Sequence, residues 1–176
     1  MTTPAQTEPA TNATWINACV LVGSGIFVLG LVVSAVFAPE WRVLHPLQAM
    51  IYVAVVVLTR RKSAWGFGAG VTVAVFWNSL VLFTSPLIWE GTQELWAAIR
   101  TGSTSRPDRL LTLLAFGGHI LIIIGCLVGF FRTRPGARQW RDFVAGGVLA
   151  ICYFVAIVFA VGPAPAVERF RRVFGL

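Results

Sequence analysis

Charged side chains are scarce in this sequence. Only 12% of its 176 residues are Asp, Glu, Lys or Arg, whereas 57% are hydrophobic, and the mean hydropathy is +0.78. A soluble domain carries about 25% charged residues, so this chain lacks the polar surface with which a globular fold faces water. The composition excludes an ordinary soluble domain, and the length excludes a multi-domain enzyme with a separate cofactor module.

Lysine, cysteine and catalytic motifs are also sparse. Lys62 is the only lysine and lies in a predicted loop, which excludes a retinal Schiff base inside a span. The three cysteines fall in different apolar segments without C-x-x-C or metal-ligand spacing, and we interpret them as small buried apolar residues. Neither H-E-x-x-H, G-x-S-x-G nor a Walker phosphate loop occurs. We therefore expect a protein that is not an enzyme and holds no metal ion.

Long apolar runs take the place of the missing charges. A helix needs about 20 apolar residues to cross a hydrocarbon core about 30 Å thick, because each residue rises about 1.5 Å. Segments at about 15–38, 41–59, 64–88, 110–131 and 143–162 meet or nearly meet this requirement, and none contains an acidic residue. Six of the seven tryptophans fall at or near their ends, where indole rings prefer the headgroup region. The sequence predicts an all-α, polytopic membrane bundle of five transmembrane helices, the second of which is the shortest.

Polar and amphipathic segments flank this transmembrane domain, which is expected to cover residues 15–162. Residues 1–14 are rich in Thr, Ala and Pro, and we expect a disordered polar segment rather than a signal peptide. Ser85-Pro86 predicts a helix start, and the following segment 90–100 is amphipathic and charged, which is typical of a helix lying on the membrane surface. Residues 163–176 show the same pattern and predict a basic amphipathic C-terminal tail.

The basic residues indicate lipid contact and an orientation. A net charge of +7 and a pI of about 10.7 would suggest nucleic acid in a soluble protein, but bases beside apolar spans indicate anionic lipids, so no nucleic acid partner is expected. The densest basic loops are Arg60–Lys62 and Arg132–Arg141, which favours the N-terminus inside and the C-terminus outside. Arginine-rich loops without an N-terminal targeting signal predict a bacterial inner membrane.

Polar side chains inside a span are costly, and they are therefore the candidates for a functional site. They are His45, Gln48 and Tyr52 on the second span, Asn78 on the third, His119 on the fourth and Tyr153 on the fifth. The first three share one helix face, and residue counting puts Tyr52, His119 and Tyr153 near the midplane. One interpretation is a polar seam from the outer face to the centre. The other is interhelical hydrogen bonding without a site, at about 0.6 kcal/mol per bond.

Three functions are consistent with this pattern. Small residues such as Gly66-x-x-x-Gly70 and Gly125-x-x-x-Gly129 let helices approach closely, and they favour a non-catalytic accessory or scaffolding subunit packed against other membrane subunits or in a homo-oligomer. The alternative is a small transporter or channel. Its polar site would lie around His45, Gln48, Asn78 and His119.

The third function is tetrapyrrole binding. Ala115-x-x-x-His119, with Gly118 beside the histidine, leaves room for a flat macrocycle next to a neutral imidazole, which is a haem-iron ligand. This spacing resembles that of light-harvesting and other chlorophyll-binding helices, and the resemblance implies that His119 is an axial ligand to haem or chlorophyll. By residue counting, His45 lies about 10 Å too shallow to be a second axial ligand.

Overall fold

The protein is a helical membrane bundle. A computed structural model describes residues 11–175, and all regular structure in that range is helical. The helices are α1 (Thr11–Phe37), α2 (Leu44–Arg60), α3 (Ala64–Thr84), α4 (Leu87–Thr101), α5 (Pro107–Arg132), α6 (Ala137–Val161) and α7 (Ala164–Phe174). The predicted all-α fold is confirmed, because α1, α3, α5 and α6 are each long and apolar enough to cross a bilayer.

The second apolar helix is shorter than the other four. α2 has 17 residues, and at about 1.5 Å per residue it measures about 25 Å. Pro39 opens a 3₁₀ turn, Pro39–Trp41, and the next two residues form a turn, so the chain is not α-helical where the sequence predicts the span to begin. The bundle therefore combines four full-length spans with one shorter apolar helix.

Proline also sets the end of α3. The predicted third span runs to residue 88, but α3 ends at Thr84 because Ser85 precedes Pro86 and adopts an extended backbone. The Leu87 backbone N–H donates to the Ser85 hydroxyl at 3.1 Å, so a new helix begins there as predicted. That helix is α4, which covers the predicted surface segment 90–100.

The N-terminal limits of three helices also differ from the apolar runs. α1 begins at Thr11, so residues 11–14 of the expected polar segment belong to it, and the remainder of that segment lies outside the described residues. α5 begins at Pro107 and α6 at Ala137, each before the predicted apolar start. Charged residues fill their first turns, where a helix leaves the hydrocarbon core, so hydropathy alone does not mark where the helix begins.

Glycines allow the closest helix contacts. A Cβ atom on Gly23 of α1 would meet the carbonyl oxygen of Gly118 on α5, and one on Gly68 of α3 would meet that of Phe143 on α6. A Cβ on Gly146 of α6 would likewise meet the α3 backbone. In lipid, helices associate through such close packing rather than through hydrophobic burial. Many of the small residues therefore pack against other helices of the same chain.

The helix order gives the bundle two different ends. The basic end holds the loops α2–α3 and α5–α6, with Arg60, Arg61, Lys62 and most of the bases of segment 132–141. The opposite end, which we call the rim end, holds the 3₁₀ turn, α4, the start of α5 and α7. The tail helix α7 packs on the bundle through Phe170, whose ring lies 6.0 Å from those of Phe76 and Phe154.

Candidate intramembrane binding site

Three of the predicted polar residues meet in the interior of the bundle. The Tyr52 hydroxyl lies 2.7 Å from Nε2 of His119, and Nδ1 of His119 lies 3.2 Å from Oδ1 of Asn78. Since Oδ1 can only accept, Nδ1 donates to it, and Nε2 accepts from the tyrosine. Helices α2, α5 and α3 each contribute one member of this network. His119 has no exposed surface, and both of its ring nitrogens are engaged.

Two aromatic rings cover the network. Phe27 of α1 packs on the His119 ring at 4.3 Å and on the Tyr52 ring at 4.4 Å, measured between ring centroids. Trp77, next to Asn78 on α3, lies 4.7 Å from the His119 ring and meets Phe27 edge-on at 5.1 Å. Such tilted and edge-on pairs are favourable aromatic contacts. The network is therefore enclosed by helices α1, α2, α3 and α5.

A cavity of about 630 Å³ extends from these rings toward the rim end. Phe27 and Trp77 line it, as do Gln48, one helical turn from Tyr52, and Ala115, one turn from His119. Most of the remaining wall is apolar, and α7 contributes Ala166 and Phe170 to it. His119 itself does not line the cavity, so the aromatic pair separates the cavity from the buried network.

Two buried polar side chains line the cavity without a complete set of partners. His45 is 7% exposed, and its Nδ1 donates to the Leu31 carbonyl at 2.9 Å, which leaves Nε2 free. Gln48 is 6% exposed, and its side-chain amide pairs with no group of residues 11–175. A buried amide without a partner costs about 1–3 kcal/mol. The Gln48 amide is therefore available to a molecule inside the cavity.

Ion pairs and one further carboxylate lie at the cavity rim, since Glu40 lines the cavity without an ion pair among the described residues. Arg106 and Arg109 line the cavity together with Asp108. Arg106 forms an ion pair with Asp108 at 2.8 Å, and Arg109 forms one with Glu90 of α4 at 2.7 Å. Within the described part of the chain, the rim therefore offers paired arginines and one unpaired carboxylate rather than a strong field of one sign.

Glu94 forms hydrogen bonds that hold the loop beside this rim. Its carboxylate accepts from the hydroxyls of Thr104 and Ser105, each at 2.8 Å, and from the backbone N–H groups of Ser105 and Arg106 at 3.3 Å. The bonds from the Ser105 and Thr104 hydroxyls lower the pKa of the Glu94 carboxyl. The ionised Glu94 carboxylate stabilises the loop fully at a pH above the ordinary pKa of a carboxyl group. This stabilisation is lost as the pH falls through the lowered pKa of Glu94.

The other predicted site residues have separate positions. The Tyr153 hydroxyl of α6 donates to the Leu47 carbonyl at 3.0 Å and takes no part in the buried network. Gly118 packs against the backbone of Gly23, so α1 occupies the space beside the histidine that a macrocycle would need. With both His119 nitrogens engaged, the residues as arranged do not fit an axial ligand for haem or chlorophyll. Within residues 11–175, no cluster of three or more His, Cys, Asp or Glu could hold a metal ion.

Sequence reasoning did not identify several residues around the site. Phe27 and Trp77 were not distinguishable from ordinary core aromatics, although Trp77 is the one tryptophan away from a span end. Asp108 and Arg109 are typical of a helix start, and no sequence signal places them at a cavity. Phe170 belongs to the predicted amphipathic tail, and no sequence signal places it at the cavity, where it is 5% exposed.

The fold and the site define a small polytopic membrane protein with an internal cavity. No family model matches the sequence, and neither a curated protein nor a solved structure matches it. The arrangement of the site is therefore the basis on which a function can be assigned.

Proposed function

We propose that this protein binds a small, largely apolar molecule inside the helical bundle, through the cavity at the rim end. The observation that supports this most is the pair of buried polar residues on the cavity wall, whose Gln48 amide and His45 Nε2 have no partner among the described residues. A bound molecule that pairs with them removes the cost of their burial.

The size and lining of the cavity support the same function. Ligand pockets typically measure about 300–1,000 Å³, with mainly apolar walls and a few polar groups that orient the ligand. The cavity here has about 630 Å³ and this type of wall. It reaches the rim end, which carries the interfacial helix α4 and therefore lies near the lipid headgroups. An amphipathic molecule dissolved in the bilayer can enter there.

A cavity-filling substitution tests the proposal. Gly30 lines the cavity, and a Cβ built on it has its nearest neighbour at 3.8 Å, so Gly30→Phe fills the space without a backbone clash. We expect 6-fluoro-2-naphthol to give a saturable bound ¹⁹F resonance with the wild-type protein in dodecyl maltoside micelles. The Kd should rise by about tenfold or more in Gly30→Phe, because the probe and the new ring compete for one volume.

Gly25→Phe is the matched control for this experiment. Gly25 lies on the same helix, and its Cβ position has no neighbour within 4 Å, so the new ring points away from the bundle. It should leave both the probe Kd and the unfolding temperature unchanged. A bound resonance of equal Kd in Gly30→Phe, with the variant still folded, would show that the probe does not occupy the cavity.

Transport is a second candidate, favoured by the position of the buried network. Tyr52, His119 and Asn78 lie directly behind Phe27 and Trp77, where a path from the cavity toward the basic end would continue. This function predicts faster proton entry into pyranine-loaded vesicles with the wild-type protein than with His119→Ala. Equal rates in the two sets of vesicles, at equal protein content, would contradict it.

The remaining two functions have less support from the geometry. Much of the small-residue pattern that favours an accessory subunit packs against other helices of the same chain, as at Gly23, Gly68 and Gly146. Purification in mild detergent tests that role, since co-migration with another subunit would support it. A Soret or red band in the absorption spectrum would support tetrapyrrole binding. The tetrapyrrole would then lie at another site, because the present arrangement of His119 does not fit one.

A further inference from the structure

We propose that the cavity recognises the hydroxyl group of a cyclic, aromatic-like alcohol, which donates to Nε2 of His45 and accepts from the side-chain amide of Gln48. This inference rests on the proposed binding function and specifies its ligand class. It concerns the two buried polar residues that line the cavity, and it is independent of the enclosed Tyr52–His119–Asn78 network.

The contacts of His45 fix the role of its free nitrogen. The Leu31 carbonyl can only accept, so Nδ1 carries the proton, and Nε2 of the neutral ring presents a lone pair. The Trp41 ring stacks on the imidazole with 5.5 Å between centroids and an interplanar angle of 22°, which holds its orientation. His45 therefore requires a hydrogen-bond donor from the ligand.

Gln48 adds the complementary role. It follows His45 by three residues on α2 and lines the same cavity, so both reach one region of the ligand. Its amide can donate and accept. A hydroxyl group donates its hydrogen to His45 and accepts from Gln48 through its oxygen, whereas an ether can only accept. A carboxylate would bring a charge for which the rim offers no unpaired base, because Arg106 and Arg109 are already in ion pairs.

The inner wall favours a ring as the body of the ligand. Phe27 and Trp77 close the inner end of the cavity, and Phe154 and Phe170 line another part of its wall. Aromatic side chains present faces and edges that attract the complementary parts of a second ring. A ring bearing one hydroxyl group thus matches both the apolar part of the wall and its two buried polar residues.

Matched naphthalene probes test the hydroxyl requirement. Binding of 6-fluoro-2-naphthol and of its methyl ether, 2-fluoro-6-methoxynaphthalene, is measured by ¹⁹F NMR with the wild-type protein in dodecyl maltoside micelles, each corrected for partition into empty micelles. We expect the naphthol to bind about tenfold more tightly than the ether. Equal affinities would overturn the hydroxyl requirement and leave cavity binding standing. Failure of both probes to bind would overturn the proposed function itself.

Variants of the two residues separate their roles. His45→Leu should weaken naphthol binding to the level of the ether and leave ether binding unchanged, because only the hydroxyl donates to Nε2, and general destabilisation does not produce such a selective loss. Gln48→Leu should weaken the binding of both probes and keep their ratio, because both oxygens accept from the amide. Gln93→Leu, the same change at an exposed position of α4, is the control and should keep both affinities. An unchanged naphthol-to-ether ratio in His45→Leu would overturn the assignment.

Discussion

Replacing Gly68 by alanine should lower the free energy of unfolding by about 1–3 kcal/mol, the usual range for overpacking a close contact. The new Cβ would meet the carbonyl oxygen of Phe143 on α6. Because this neighbour is backbone rather than a flexible side chain, α3 and α6 have to move apart to admit the methyl group. The change is measured by unfolding the purified protein with increasing sodium dodecyl sulphate in mixed micelles.

Gly117→Ala is the matched control on α5. Its Cβ position has no neighbour within 4 Å, so the same methyl group enters open space. The free energy of unfolding should stay the same or rise by up to about 1 kcal/mol, because alanine is the better helix former. Equal destabilisation by the two variants would contradict the close α3–α6 packing.

Substituting His119 by leucine should have the other large effect, a loss of about 2–5 kcal/mol in the free energy of unfolding. The change leaves the Tyr52 hydroxyl and the Asn78 amide oxygen buried without their partner, and each such group costs about 1–3 kcal/mol. The same unfolding measurement checks this value. An effect below about 0.5 kcal/mol would show that the network does not stabilise the bundle.

A double-mutant cycle separates the tyrosine bond from the rest of the network. Tyr52→Phe alone leaves Nε2 of His119 unpaired and should cost about 1–3 kcal/mol. In the His119→Leu background the same change should cost little or even stabilise, because it removes a hydroxyl that already lacks its partner. Strict additivity of the two changes would contradict the Tyr52–His119 hydrogen bond.

The class of fold could be predicted from the sequence because hydropathy depends on each segment separately. Long runs without charge require a lipid environment wherever they lie in the chain. The residues at which the helices begin and end were harder to predict from the sequence. Pro39 and Pro86 break runs that remain apolar beyond them, whereas α5 and α6 extend into charged turns that hydropathy counts as loops.

The candidate site was only partly predictable for a different reason. Polar residues inside spans are conspicuous, so Tyr52, Asn78 and His119 stand out one by one. Their hydrogen bonds depend on how α2, α3 and α5 rotate and pack, which periodicity within a single helix does not determine. The same limit applies to the cavity, whose walls combine residues from the 3₁₀ turn and all seven α-helices.

The shortness of α2 sets a requirement on the surrounding bilayer. At about 25 Å it falls roughly 5 Å below the usual hydrocarbon thickness, while the neighbouring spans do not. Thinning of the bilayer beside a short span is one way in which a membrane accommodates such a mismatch. Thinning next to the 3₁₀ turn would shorten the distance that a molecule travels from the headgroups to Gln48. If the proposed binding function holds, the thickness of the host membrane would then affect how readily the cavity fills.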